Sequence, residues 1–333
     1  MLPNTMDNDL SQFAGYDLIG DVHGCGDSLE LLLQLLGYCT RGGVYGYRDQ
    51  RKPRQVIFLG DILDRGPKIR ESILLVRDMV ERGSAQIVMG NHEYNALAYS
   101  TKKPGSDTRY LLDHTPNLNR LIQETLDQFA NHPRDWKDTL NWFYDWPVFL
   151  EFKHFRVVHA CWDQHLIDQF LQRCPDATID KDFLVESADY RNPAGRFMSR
   201  TTRGASLMLP DNLTITGSDG YSRRAFRVKF WVEEPQTYGD VQFQPDRLDE
   251  LLAERLLSDE EKNSIPFYDQ NQRPLFIGHY WQSGKPGPLA NNIACLDYSA
   301  VKNGRLMAYR MDDEKILSAK NFVWVNGHEK LIL

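Results

Sequence analysis

Gln55-Val56-Ile57-Phe58-Leu59-Gly60-Asp61-Ile62-Leu63-Asp64-Arg65-Gly66 is the stretch from which the fold of this chain is read. An apolar run of strand length stops at a glycine, acidic and basic residues follow at once, and Pro67 leads into a helical pattern over 69–81. Proline is tolerated in a first helical turn, where its missing N–H would have no partner anyway. The unit is therefore strand, polar loop, helix. It recurs on both sides. Upstream, Tyr16-Asp17-Leu18-Ile19 runs into Gly20-Asp21-Val22-His23-Gly24, and Asp27 is placed to cap a helix over 28–36. Downstream, Ala85-Gln86-Ile87-Val88-Met89 runs into Gly90-Asn91-His92-Glu93. In sheets of such units, ligands gather outside the carboxyl ends of the strands. All three polar strings lie there.

Carboxylates, imidazoles and a carboxamide form a mixed oxygen and nitrogen donor set, which suits Mn²⁺, Fe²⁺ or Zn²⁺ better than Ca²⁺ or a thiolate-seeking metal. Asp21 and His23 can turn to one side of a strand end, and Asp61 can bridge two ions. Gly20, Gly60 and Gly90 keep Cβ atoms away from that point. Two later histidines also end apolar runs: His159 after Phe155-Arg156-Val157-Val158, and His279 after Leu275-Phe276-Ile277-Gly278. Any one of these groups alone is as readily a solvated turn, a surface ion pair or a hydrogen-bonded histidine. Their joint occurrence in order favours a metal site.

The strings GDVHG, GDILDRG and GNHE with these two histidines resemble the signature of the calcineurin-like metallophosphoesterases. The likeness is to the phosphoprotein phosphatase (PPP) branch, which includes bacterial diadenosine tetraphosphate hydrolases. It covers about residues 16–160 and resumes over about 275–310. It implies an α/β fold, a four-layer α-β-β-α sandwich of two mixed sheets with a dinuclear metal centre at one edge. It also implies two divalent metal ions, Mn²⁺ first, with Fe²⁺ or Zn²⁺ as alternatives. Asp21, His23 and Asp61 would hold one ion; Asp61, Asn91, His159 and His279 would hold the other. A bridging hydroxide would attack phosphorus in line. His92 would be the general acid, oriented by Asp64, and Arg65 would clamp phosphate oxygens, with Asn91 also near the substrate. A further basic residue is expected from the middle of the chain, Arg203 first and Arg200 second.

The resemblance leaves the substrate divided between a phosphoserine or phosphothreonine protein and a dinucleoside polyphosphate. A non-enzymatic metal-binding or regulatory protein on the same fold is the alternative, disfavoured because every ligand position and the acid are kept.

Composition sets bounds. The chain has 333 residues, 41% of them hydrophobic, enough for one large domain or two modest ones. Its net charge of -7 argues against a surface for nucleic-acid duplexes while permitting a locally basic pocket. Cys25, Cys39, Cys161, Cys174 and Cys295 are scattered without paired metal spacing, which favours a reducing compartment. No signal or membrane-spanning run is seen, so a cytoplasmic protein is expected; the composition selects no oligomeric state.

Residues 1–14 read as a flexible tail and 15–333 as a single domain. A helical insertion is expected near 107–145, and a cap or substrate segment near 187–270. Within the latter, 213–216 and 221–231 are expected to form a hairpin about Gly217-Ser218-Asp219-Gly220. Tyr280 and Trp281 are candidates for the pocket mouth. The last strands, near 292–298 and 305–310, are expected to pair and extend a second sheet.

Overall fold

The computed structural model describes residues 13–216, 222–244 and 247–327. The expected tail therefore lies, up to residue 12, outside the described residues, as does the turn over 217–221.

The first unit gives β1 (Gly15–Ile19) and α1 (Gly26–Leu36), followed by a hairpin of β2 (Tyr38–Arg41) and β3 (Val44–Tyr47). The second gives β4 (Arg54–Phe58) and α2 (Ile69–Glu81), and the third β5 (Ala85–Ile87) and α3 (Asn91–Ser100). Strands β1, β4 and β5 run parallel, so their polar strings emerge side by side. Residue Cys25, not Asp27, caps α1; Asp27 sits in the first turn, where the helix dipole favours an acid, and takes Lys68 Nζ at 2.6 Å.

Helices α4 (Pro116–Phe129) and α5 (Pro133–Phe143) occupy the stretch expected to be helical near 107–145 and pack against α2 and α3. The chain then enters a hairpin of β6 (Phe149–Glu151) and β7 (Arg156–Val158), followed by α6 (Gln164–Arg173), α7 (Lys181–Ser187) and α8 (Pro193–Arg203). Farther on, β8 (Ser206–Met208), β9 (Ile215–Thr216), β10 (Ser222–Arg223) and β11 (Ala225–Arg227) do not make one long hairpin. Strand β10 pairs with β9, but β11 turns away at Arg224 and pairs with β8.

Strands β12 (Leu275–Ile277) and β13 (Ile293–Cys295) complete a four-stranded sheet in the order β13-β12-β7-β6. Here the expectation for the last strands is corrected. After Cys295 the chain crosses between sheets at Leu296, so that β14 (Asp297–Tyr298) and β15 (Arg305–Met311) join the first sheet. That sheet has six strands in the order β14-β15-β1-β4-β5, with β16 (Phe322–Asn326) also on β15, and β15 is antiparallel to β1.

The two sheets face each other across Leu18, Ile57, Val157, Phe276, Ala294 and Met307, which form one buried cluster. The alternate residues Ile19, Val56 and Phe58 fall in the second cluster, with Leu29, Leu33 and Val76 of α1 and α2. A strand's two-residue period thus supplies both sides of the sheet.

Candidate active site

Several residues at the strand ends have left-handed backbones without being glycine: His23 (φ 46°), Asp61 (φ 52°), Asp64 (φ 67°), Arg65 (φ 72°) and His279 (φ 57°). Each such residue costs roughly 1–2 kcal/mol, and persists only where surrounding contacts over-determine it. Much of that restraint comes from Glu93. Its buried carboxylate accepts the N–H of Asp61 (2.9 Å) and Gly90 (3.1 Å) on one oxygen, and those of Ile62 (2.9 Å) and Leu63 (3.2 Å) on the other. Burial and the neighbouring Asp61 charge push its pKa up to about 7, against those donors and His92. Sequence reading gave Glu93 no role. The signal was its place at the third position of a helix opening on Gly90, where an acid reaches back to the start of the helix.

The imidazoles are aimed by backbone carbonyls. Nδ1–H of His23 donates to Leu63 O at 2.8 Å, and Nδ1–H of His159 to Leu59 O at 2.6 Å. Their Nε2 atoms point at Asp61 Oδ2, at 3.7 and 3.3 Å. Fixing one ring nitrogen in this way is how proteins present the other to a metal. His279 places Nδ1 2.7 Å from Asn91 Oδ1, while its Nε2 is buried with no hydrogen-bond partner. His159 Nε2 comes within 3.1 Å of the same Asn91 oxygen, so two imidazole nitrogens and a carboxamide oxygen converge where a cation would fit. Donor atoms of Asp61, His159 and His279 lie within 4.8 Å of one another, and so do those of His23, Asp61 and His92. Asp61 is common to both groups.

Asp21 receives the His279 N–H at 3.4 Å on each oxygen and lines the same cavity as His23 and Asp61. Burial, then the Asp297 carboxylate, raises its pKa well above the carboxylate range. Burial would also raise Asp61, but His159, His92 and His23 outweigh it and hold that group low. Burial lowers His23 and His279, with Arg65 and Arg227 next in effect. His159 is raised to about 10: burial opposes its charge, and Asp61 overcomes it. The clustered oxygen and nitrogen donors fit divalent cations.

His92 follows Asn91 at the start of α3. Its Nδ1–H donates to Asp64 Oδ2 at 2.5 Å, and its Nε2 accepts from an Arg65 guanidinium N–H at 3.2 Å. Asp64 is also held by Thr125 of α4, whose hydroxyl bonds both its N–H and its Oδ1.

Two cavities meet at this point. The smaller, about 260 Å³, is lined by Asp21, His23, Asp61, Asp297 and Trp281. The larger, about 580 Å³, is lined by Asp64, Arg203, Tyr99, Leu112 and α4. Arg65, Asn91, His92, Arg227, His279 and Lys302 border both.

Arg203, at the end of α8, reaches the large cavity, with its guanidinium over the Tyr94 ring at 5.4 Å and bonded to Asn95 Oδ1. The structure does not bring Arg200 there. It faces Asp163 at 3.7 Å and the Ser264 carbonyl at 3.5 Å, because the N-terminal cap of α6 packs beside it. Arg227 was not singled out from the sequence. It lies 3.4 Å from the His279 carbonyl and 5.5 Å from the Tyr280 ring centre. Tyr280 itself is fully buried, donating to Val228 O at 3.2 Å and accepting Ala205 N–H at 2.9 Å, so it is core and not pocket mouth.

The family model described as calcineurin-like phosphoesterase matches residues 16–196, more than half of the chain. The chain belongs to the calcineurin-like phosphoesterase family. Membership makes it a hydrolase of phosphoric esters or anhydrides.

Among the relatives of this phosphoesterase is an asymmetrical bis(5'-nucleosyl)-tetraphosphatase of Oceanobacillus iheyensis, 29% identical over 195 residues, 58% of this chain and 74% of that protein. An asymmetrical counterpart from Halalkalibacterium halodurans is 47% identical over 109 residues, 33% of this chain and 43% of that protein. A symmetrical bis(5'-nucleosyl)-tetraphosphatase of Vibrio vulnificus is 23% identical, over 91% of this chain and 97% of its own. A protein serine/threonine phosphatase from Saccharomyces cerevisiae shares the fold with a TM-score of 0.50 at 14% identity, over 98% of this chain and 84% of its own.

Proposed function

We propose that this phosphoesterase hydrolyses dinucleoside polyphosphates. The observation that carries the reading is the lining of the large cavity: Arg65, Arg120, Arg203, Arg223, Arg227 and Lys302 face it, against the carboxylate of Asp64. A phosphoseryl group carries at most about two negative charges and is satisfied by one or two guanidinium forks. A row of cations of this extent suits a chain of phosphates. Leu112, Leu118, Leu121 and Tyr99 on the same wall offer apolar surface to a nucleoside. Tetraphosphatase relatives of both symmetrical and asymmetrical type support the reading.

Asp21, His23 and Asp61 would hold one divalent ion, and Asp61, Asn91, His159 and His279 the second, with Mn²⁺ the ion of choice for this oxygen and nitrogen set. Bound there, the ions would supply positive charge to the phosphoryl oxygens and a water acidic enough to attack. Arg65, Arg203 and Arg227 would hold the nonbridging oxygens, with Asn91 beside them. With Arg65 turned from it to the phosphate, His92 would take a proton from solvent at Nε2 and give it to the departing oxygen, its ring orientation set by the Nδ1–H bond to Asp64. The cysteines are free thiols, which fits a reducing compartment such as the cytoplasm.

Chromatography of the products from diadenosine tetraphosphate with Mn²⁺, beside a phosphopeptide panel, tests this. Two ADP, or AMP with ATP, is the expected outcome and identifies the bond broken. Orthophosphate from phosphopeptides with no nucleotide product would overturn it in favour of a protein phosphatase.

A further inference from the structure

Helix α4 touches the loop that carries Asp64 and Arg65 at two places. Thr125 and Gln128 lie three residues apart, on one helical face. Thr125 Oγ1 accepts the Asp64 N–H at 3.2 Å and donates to Asp64 Oδ1, across 61 positions of sequence. That bond occupies one carboxylate oxygen, so the other is the one set 2.5 Å from His92 Nδ1. Gln128 holds the far end of the loop: its amide nitrogen donates to Gly66 O at 3.0 Å, and its Oε1 accepts the Ile69 N–H at 2.6 Å.

The backbone between these anchors passes through the left-handed conformations of Asp64 and Arg65. Residues with so unfavourable a backbone need external support. Thr125 is fully buried, and its hydroxyl is turned to Asp64. The same helix lends Leu118, Leu121 and Ile122 to the wall of the large cavity.

We propose that α4 is a strut for proton transfer, with Thr125 a positioning residue that selects the carboxylate rotamer of Asp64 and so aims His92. The proposal rests on the assignment of His92 as the acid.

Thr125→Val, Thr125→Ser and His92→Asn are to be compared on p-nitrophenyl phosphate, whose leaving group needs little protonation, and on phenyl phosphate, whose leaving group needs more. For T125V we expect kcat on phenyl phosphate to fall about tenfold or more, a fraction of the 10²–10⁴ available from acid catalysis, with a much smaller loss on p-nitrophenyl phosphate. Bound metal should be unchanged. T125S should restore most of the rate, and T125V in the H92N background should add almost nothing, because two residues acting as one unit are not additive.

Equal losses on both esters, no rescue by serine, or the same factor lost again in the H92N background would overturn the proposal. If H92N itself fails to distinguish the esters, the acid assignment falls and this inference with it; if H92N distinguishes them and T125V does not, this inference alone falls. Should T125V not fold, Thr125→Cys, which keeps a small side chain but only a weak donor at that position, carries the same comparison with the same two outcomes.

Discussion

Arg227 borders both cavities and sits against the carbonyl of His279, a member of the cluster that could hold a metal. Its replacement by alanine should therefore cost binding of the phosphate chain more than the chemistry. A charge-assisted hydrogen bond is worth roughly 1.5–3 kcal/mol. R227A is accordingly expected to lower kcat/KM on diadenosine tetraphosphate by about ten- to a hundredfold, mostly through KM, with lysine recovering part. A loss confined to kcat would contradict the role. Glu93 makes a different prediction. Exchanging it for glutamine sets an NH₂ donor against backbone N–H groups, and a buried unsatisfied donor costs about 1–3 kcal/mol. E93Q should lower the melting temperature and the bound metal together, read by calorimetry and elemental analysis. Much at this scale was legible, since Asp61, His92 and Asp64 stand in strings whose order is informative. Arg203 ranked ahead of Arg200 in the sequence, but both occupy the last turn of α8, and the physical ground for separating them is the packing of Asp163 against Arg200. Arg227 lies on a strand where apolar and basic residues alternate, and its target is chosen by contacts distant in sequence.

Elements bring the strings together by close approach of backbones. A Cβ built on Gly278 would stand 2.1 Å from Asp21 Oδ1, and one on Gly90 would stand 2.2 Å from Asp61 Oδ1. Gly278→Ala must therefore displace Asp21 from the cavity floor. We expect G278A to keep its secondary structure by circular dichroism while binding Mn²⁺ at least about tenfold more weakly, an interaction loss of roughly 1.4 kcal/mol. Unchanged affinity in a titration would show that Asp21 is not needed there. Strands and helices near the strings could be read from the sequence because their apolar periods are clean and their loops short. The crossing at Leu296 could not. Residues 293–298 read as one strand-like run interrupted only by Asp297, whose charge does not say that the chain leaves one sheet for the other there. The insertion's helical pattern was likewise visible, but Thr125 is an ordinary helix residue until the fold sets it beside Asp64.

For the whole molecule, the balance of charge is uneven. A chain of net charge -7 places Asp21, Asp61, Glu93 and Asp297 in a buried group and opposes it with a cationic cavity. Divalent ions that bind only the folded state should stabilise it by about 2.7 kcal/mol at a hundred times their Kd, a rise of roughly 4 °C for a chain of this size. A chelator should abolish both this rise and hydrolysis, and Mn²⁺ should restore both; hydrolysis that persists in metal-free protein would sink the proposed chemistry. Screening should also weaken capture of a polyanion, so KM for a dinucleoside polyphosphate is expected to rise with salt more steeply than KM for a monoester.

The crossing at Leu296 also bears on how the enzyme is made. Strands β12 and β15 lie inside their sheets, not at the edges, yet both are synthesised after the whole cap. A nascent chain that has reached residue 270 thus has the three polar strings but neither sheet complete, and lacks His279. Such long-range closure is slow, and until it occurs the chain has unpaired strand edges that invite association. With His279 as the proposed ligand, hydrolysis is expected only after β12 has taken its place between β7 and β13, so a chain truncated at residue 270 should be inactive.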